Sequence, residues 1–195
     1  MPGLPPPVAD ERDALLAFLT QQRQALRITA HGLTEAQARS APSASELNIA
    51  GLVKHAGRCE RGWMDLVLQR DSGPRRDPDE PDTGDFHLGP DESLAGLLVQ
   101  YEQACAETDA IVASIADLGR PVPVPQGFPW FPADLKEWSV RWVLLHLIEE
   151  TARHAGHADI IRETVDGATR DPLMAAAEQW PDPWFTPWEP APASG

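Results

Sequence analysis

Residues 138–163 read WSVRWVLLHLIEETARHAGHADIIRE. Val143, Leu147, Glu150, His154, His157 and Ile161 recur there at alternating steps of four and three, the period of one helix face. Ser139 is placed to cap the start, and Gly167 is placed to stop the chain beyond Val165, so we expect one helix over Ser139–Val165. The stripe is apolar at both ends and polar in the middle. A carboxylate such as Glu150 in a dry core costs several kcal/mol unless it is paired or coordinated.

Three more segments carry the same period. Asp10–Leu33 has a seam of Leu15, Leu19, Leu26 and Leu33, with Gln22 and Thr29 in the gaps. Asn48–Arg70 follows the loop SAPSASEL, with Asn48 as its expected cap and Leu52, His55, Cys59, Gly62 and Leu66 as its seam. Asp91–Leu118 has Leu94, Leu98, Tyr101, Cys105, Thr108, Val112 and Ile115. No segment alternates as a strand does. Four long helices with one stripe apiece predict an all-α fold, a four-helix bundle.

The linkers are long. DSGPRRDPDEPDTGDFHLGP (71–90) is acidic and rich in Pro and Gly, and GRPVPVPQGFPWFPADLKEW (119–138) is broken by proline. Loops of that length in a compact domain are usually functional or disordered, and we expect both to lie near bundle ends where they could line a cleft. We divide the chain into a bundle over 1–170 and a tail over 171–195. The tail carries three of the seven Trp (Trp180, Trp184, Trp188), so it is expected to pack on the bundle or on a second subunit, with its last six residues disordered.

With 42% hydrophobic residues, the chain can bury a core. Its net charge of -14 repels phosphate backbones and anionic bilayers, which argues against nucleic-acid and membrane partners. The opening MPGLPPPVADERD has no basic stretch followed by an apolar run, and no segment is apolar enough to span a bilayer, so a cytoplasmic protein is expected. Cys59 and Cys105 both fall in predicted helices, where a reduced, buried thiol is the expected state.

Residues four apart on a helix share a face, so Glu150 and His154 point the same way. If the second and fourth helices face each other, His55 in GLVKHAGRCERGW (51–63) can converge on them. Two imidazoles and a carboxylate make the ligand count of an open metal site, suited best to Zn²⁺, with Ni²⁺, Fe²⁺ or Mn²⁺ also compatible. A buried hydrogen-bond network, with Arg153, Arg141 or a protonated His as partner of Glu150, explains the same residues equally well. His157 is a candidate fourth ligand, an outer-shell base, or a core His bonded to Asp159 or a carbonyl. Arg153 and Arg58 are candidates to hold a carboxylate of a bound thiol. Cys59, four after His55, is read as structural, His146 as structural or outer-shell, and His87 as an exposed loop residue. Trp63 and Trp142 are read as core. Trp130 and Phe131 are candidate walls of a cleft, and His31 complements the end of the first helix.

GLVKHAGRCERGW, followed about 80 residues later by WSVRWVLLHLIEETARHAGHADIIRE, resembles the DinB-like superfamily. It is similar above all to the actinobacterial branch that contains the N-terminal domain of mycothiol-dependent maleylpyruvate isomerase and the mycothiol S-transferases. The resemblance covers roughly residues 10–170. It implies a four-helix bundle with a long crossover, often a homodimer, and a metal held by three side chains. Aligned on Gly156, those ligands fall on His55, Glu150 and His154; the His that is commoner in the superfamily at position 150 is absent. The isomerase's extra C-terminal domain has no counterpart, so maleylpyruvate isomerisation is not expected. The implied reaction is S-transfer from a low-molecular-weight thiol, mycothiol, to an electrophile. Two alternatives stand beside it: a metal-dependent hydrolase using the same site, and a non-catalytic bundle that binds a metal or a protein.

Overall fold

The computed structural model describes residues 4–70, 86–126, 131 and 134–190. Trp130, most of the acidic linker and residues 191–195, on which the expected disorder of the tail's end falls, lie outside them. Among the described residues, six helices and two short strands run in the order α1 (Glu11–Thr29), α2 (Glu35–Arg39), α3 (Ile49–Leu68), α4 (Leu94–Ser114), β1 (Pro121–Pro123), β2 (Glu137–Ser139), α5 (Val140–Asp166) and α6 (Arg170–Ala177). The four long ones form the all-α bundle. Their limits are set by short polar side chains that satisfy the first free N–H groups. Asn48 accepts from Gly51 N at 2.8 Å, Ser93 from Gly96 N at 3.2 Å and Ser139 from Trp142 N at 3.1 Å. Gly167, at φ 76°, ends α5 in the left-handed conformation.

Side-chain pairs give the helix directions. Arg141 bonds Glu11, and Arg162 reaches the carbonyls of Thr29 and His31, so α1 and α5 run parallel. Lys54 pairs with Glu92 and Arg70 with Glu107, so α3 and α4 are also parallel. His55 meets Glu150 while Trp63 meets Trp142, so α3 and α5 are antiparallel. A connection between parallel neighbours must run back along the bundle, about 30 Å for a helix of twenty residues, which accounts for the length of the acidic linker.

Three expectations need correction. The segment 119–138 is not simply irregular: β1 and β2 pair antiparallel, Val122 opposite Trp138, with both side chains buried. A three-residue strand that begins and ends on proline, and a partner equally short, leave no alternation to detect. The first helix ends at Thr29, and a separate turn of helix, α2, follows behind the capping box of Thr34 and Gln37. The α5 stripe also shifts. Val143, Leu147, His154 and Ile161 of that stripe are buried as expected, but Thr151, Ala155 and Ala158 are buried beside them, so the core face lies one residue over in the middle of the helix. That leaves Glu150 at the rim and His157 exposed. On α3 the buried line runs through Ala56, Glu60 and Met64, and Gly62 faces solvent.

The bundle core divides into two large apolar clusters, and a third, smaller one lies between α1 and α6. One surrounds Met64, Val112, Trp138 and Leu144; the other surrounds Leu26, Leu52, Tyr101 and Ala158. Between them runs a polar level missing from the sequence reading. Arg23 donates to both carboxylate oxygens of Glu60, at 2.7 and 2.6 Å, and to Asp109 at 2.8 Å, while the Cys105 thiol donates to Glu60 at 3.4 Å. Burial, with the Glu60 charge beside it, pushes the Cys105 thiol up to about 12, so it stays protonated.

Arg162, fully buried, bonds Asp166 and the last carbonyls of α1, and the Trp188 ring lies 4.7 Å from its guanidinium. Trp180 and Trp188 pack beside Ile28, Leu173 and Met174, whereas Trp184 is 89% exposed. His31 meets the Trp188 ring edge-on at 5.7 Å.

Residues 86–92 are strapped to α3. Lys54 Nζ donates to the His87 carbonyl and pairs with Glu92, both at 2.7 Å. The Phe86 carbonyl lies so close to Gly51 that a Cβ there would sit 2.0 Å from its oxygen. Only glycine allows that approach.

Two outcomes follow. Glu60→Ala removes the bidentate partner of the buried Arg23, leaving it only the half-exposed Asp109, and should lower unfolding free energy by about 3 kcal/mol, read from the urea midpoint; a change under about 1 kcal/mol would show that the pair is not structurally important. Gly51→Ala should release the 86–92 strap, seen as faster proteolysis there and as loss of the Phe86 ring-current shift on the His55 ring protons, while the global fold persists.

Candidate metal centre

The site sits where the two apolar clusters meet, between α3 and α5. His55 comes from the middle of α3, while Glu150 and His154 occupy successive turns of α5. His55 Nε2 lies 3.1 Å from Glu150 Oε1, and His154 Nε2 lies 3.2 Å from the same oxygen. One carboxylate oxygen is thus the common neighbour of two ring nitrogens from two helices. The three side chains are 16%, 25% and 11% exposed, in the order His55, Glu150, His154, so the group is shielded yet reachable from solvent.

The electrostatics follow from that contact. Hydrogen bonding from His154, then from His55, holds the Glu150 carboxyl well below the ordinary carboxylate range, against burial, which pushes it up. Glu150 is therefore ionised at neutral pH. The rings are held by what packs on them. Phe86 stacks on His55 with centroids 4.3 Å apart and planes at 23°, and it tilts against His154 at 5.5 Å. His157 Nδ1 lies 3.4 Å from His154 Nδ1, a long hydrogen bond. Donation to Glu150 needs the proton on His154 Nε2; a cation held there would take that proton's place, with Nδ1–H then donating to His157.

Cys59 was read as structural, yet it also lies here. One donor atom each of His55, Cys59 and Glu150 falls within 4.8 Å of the others. His154 is outside that grouping; it joins through Glu150 and through an edge-on contact with the His55 ring, centroids 4.8 Å apart. By donor chemistry, two imidazole nitrogens, a carboxylate oxygen and a nearby sulfur fit a Zn²⁺-like cation. The buried His55 Nδ1 has no hydrogen-bond partner among the described residues, so the Phe86 stack fixes that ring where a polar neighbour ordinarily would.

The remaining candidates are dispersed. Arg153 is 65% exposed, with Glu149 at 3.8 Å. Arg58 is exposed, and its charge helps to hold the Glu92 carboxyl low, behind the larger effects of Lys54 and Gly89 N–H. His87 is exposed. His146 stacks on Trp142 at 5.3 Å and 10° and lies 3.5 Å from Glu149. Trp142, read as core, is 39% exposed and lines a cleft together with Phe131. Sequence reasoning missed Phe86 altogether; the one signal was a pair of apolar residues, Phe86 and Leu88, ending an otherwise acidic linker.

Among solved structures, a conserved protein from Enterococcus faecalis superposes with a TM-score of 0.60 over 83% of this chain and 100% of its own, at 16% identity. At that identity the likeness concerns the fold alone. No curated protein matches the chain. The family model of mycothiol S-transferases matches residues 14–167, from the first turns of α1 to the glycine that ends α5, and the chain belongs to that family.

Proposed function

We propose that this protein is a metal-dependent thiol S-transferase in which His55, Glu150 and His154 hold one divalent cation, Zn²⁺ by preference of the donor set, and mycothiol is the thiol substrate. The observation that carries this reading is the convergence of two imidazole nitrogens on one ionised carboxylate oxygen at a solvent-reachable rim. Membership of the mycothiol S-transferase family supports the choice of thiol and of reaction. Two neutral imidazoles and one carboxylate would leave a divalent cation with a net charge of +1 and an open position.

When bound, the cation supplies one thing: it stabilises the thiolate of a coordinating thiol at neutral pH. The chain's own residues do the rest. Glu150 contributes the negative charge. Phe86 keeps the His55 ring from rotating. His157, by accepting from His154 Nδ1, selects the tautomer that leaves Nε2 unprotonated. The electrophile enters from the open side between α3 and α5. The proposal includes a cytoplasmic location, in keeping with the finding that no described helix is long and apolar enough to cross a membrane. It also includes a homodimer, for which the exposed indole of Trp184 is a ready contact.

The test combines metal content with turnover. Protein purified without a metal-affinity tag should carry about one equivalent of metal. His154→Ala and His55→Ala should carry little, Cys59→Ser should keep it, and His157→Ala should bind about 10–100-fold more weakly. With mycothiol and monobromobimane, wild type should turn over and stop on chelation. Turnover that survives complete metal removal would defeat the metal-dependent reading; hydrolysis without any thiol would assign the site to a hydrolase instead. Metal lost from Cys59→Ser but kept by His154→Ala would make the sulfur the third ligand.

A further inference from the structure

The α5 row that carries Glu150 and His154 continues in the other direction. Trp142, His146, Glu150 and His154 succeed one another at steps of four, and the antiparallel α3 row opposite reads Trp63, Cys59, His55. One end of this shared groove is the His–Glu group. The other is aromatic. Trp138 and Trp142 stack with centroids 4.9 Å apart and planes at 9°, Trp142 and His146 at 5.3 Å and 10°. Trp63 meets Trp138, Trp142 and His146 at 5.1, 5.6 and 4.7 Å, steeply inclined to each. Parallel rings at those spacings are offset, so each leaves part of its face uncovered.

Beside them opens a cleft of about 620 Å³, walled by Phe131, Leu135, Trp138, Trp142 and His146, with Glu137 also on its lining. That volume is in the range of small-molecule sites. Four of its lining residues carry aromatic rings, and an indole left 39% exposed there is apolar area that a flat ligand would cover. From the His146 rung to the Glu150 rung is one helical turn, about 6 Å.

We propose that this cleft is the acceptor subsite of the transferase: it binds the aromatic part of a planar, uncharged electrophile, stacked on the part of the Trp142 face that the ladder leaves open, beside His146, with its reactive carbon directed along the groove toward Glu150. The inference rests on the thiol-transfer reading above. Specificity for flat aromatic acceptors follows from the ladder. Glu137 and the net charge of -14 disfavour anionic ones. In the reaction a C–S bond forms at the electrophilic carbon, the bond to the leaving group breaks, the leaving group departs with the bonding pair, and the thiol proton passes to solvent.

The experiment reads binding apart from chemistry. Unreactive syn-dimethylbimane is titrated into full-length protein without thiol, and kcat and KM are measured for monobromobimane, for iodoacetamide and for mycothiol. Trp142→Ala should weaken dimethylbimane binding about tenfold, on the scale of one lost aromatic pair, and should raise the ratio of KM for monobromobimane to that for iodoacetamide by about the same factor. Trp142→Phe should recover most of both. Leu145→Ala, an exposed position on the same helix, should alter neither. Dimethylbimane binding that is indifferent to Trp142→Ala, or a KM increase that falls on mycothiol, overturns the acceptor subsite even in an active enzyme. Tight, Trp142-dependent binding in a protein that transfers no thiol supports an aromatic-ligand cleft and defeats the transferase reading instead.

Discussion

A negative charge at the edge of an apolar bundle has to be answered by donors from more than one element, and here two imidazoles answer Glu150. Because His55 belongs to α3 and His154 to α5, their shared contact at 3.1 and 3.2 Å fixes the register of these antiparallel helices at that level. The rim position matters as much as the partners. Fully buried, the carboxylate would be too costly to leave ionised without a permanent counter-charge; fully exposed, it would hold neither ring. A side-chain exposure of 25% keeps the charge and admits a ligand.

The bundle itself was readable because its caps are local. Asn48, Ser139 and Gly167 each act within three or four residues of their own position, so the sequence alone could place them. The stripe was readable at Val143, Leu147, His154 and Ile161, all buried, and misread at Glu150 and His157. An ideal helix turns 3.6 residues per cycle, and a strict alternation of four and three drifts from it, so Thr151, Ala155 and Ala158 share the buried face. That drift leaves Glu150 at the rim and His157 in solvent, though the two still lie on the site side of α5. What the sequence could not supply was anything that depends on a distant segment. The Phe86 ring reaches His55 across 31 positions only because Gly51 lacks a Cβ and Lys54 anchors the strap.

The same limit hid the polar level in the middle. Arg23 and Glu60 each fit a helical pattern as surface charges, and only the packing of α1 against α3 and α4 shows them at 4% and 1% exposure. A bidentate, buried pair of this kind adds little net stability over an apolar replacement, but it is costly to break singly, so it selects one helix arrangement over slipped ones. Arg162 plays a comparable part at the far end, tying the last carbonyls of α1 to α5 and offering Trp188 a flat cation to cover.

The long acidic linker joins these features. Parallel α3 and α4 require a connection that returns along the bundle, and its last residues come down on α3 beside His55. The crossover thus delivers Phe86 to one end of the α3–α5 groove, while the hairpin of β1 and β2 delivers Trp138 to the other. Both loops interrupt the helical pattern, and each brings an aromatic ring to a histidine-bearing row. The four helices supply polar donors at fixed rungs, and the two connections decide how those donors are oriented and what can lie beside them. Variation among proteins that share this bundle should therefore concentrate its chemical consequences in the two connections rather than in the helices that carry the donors.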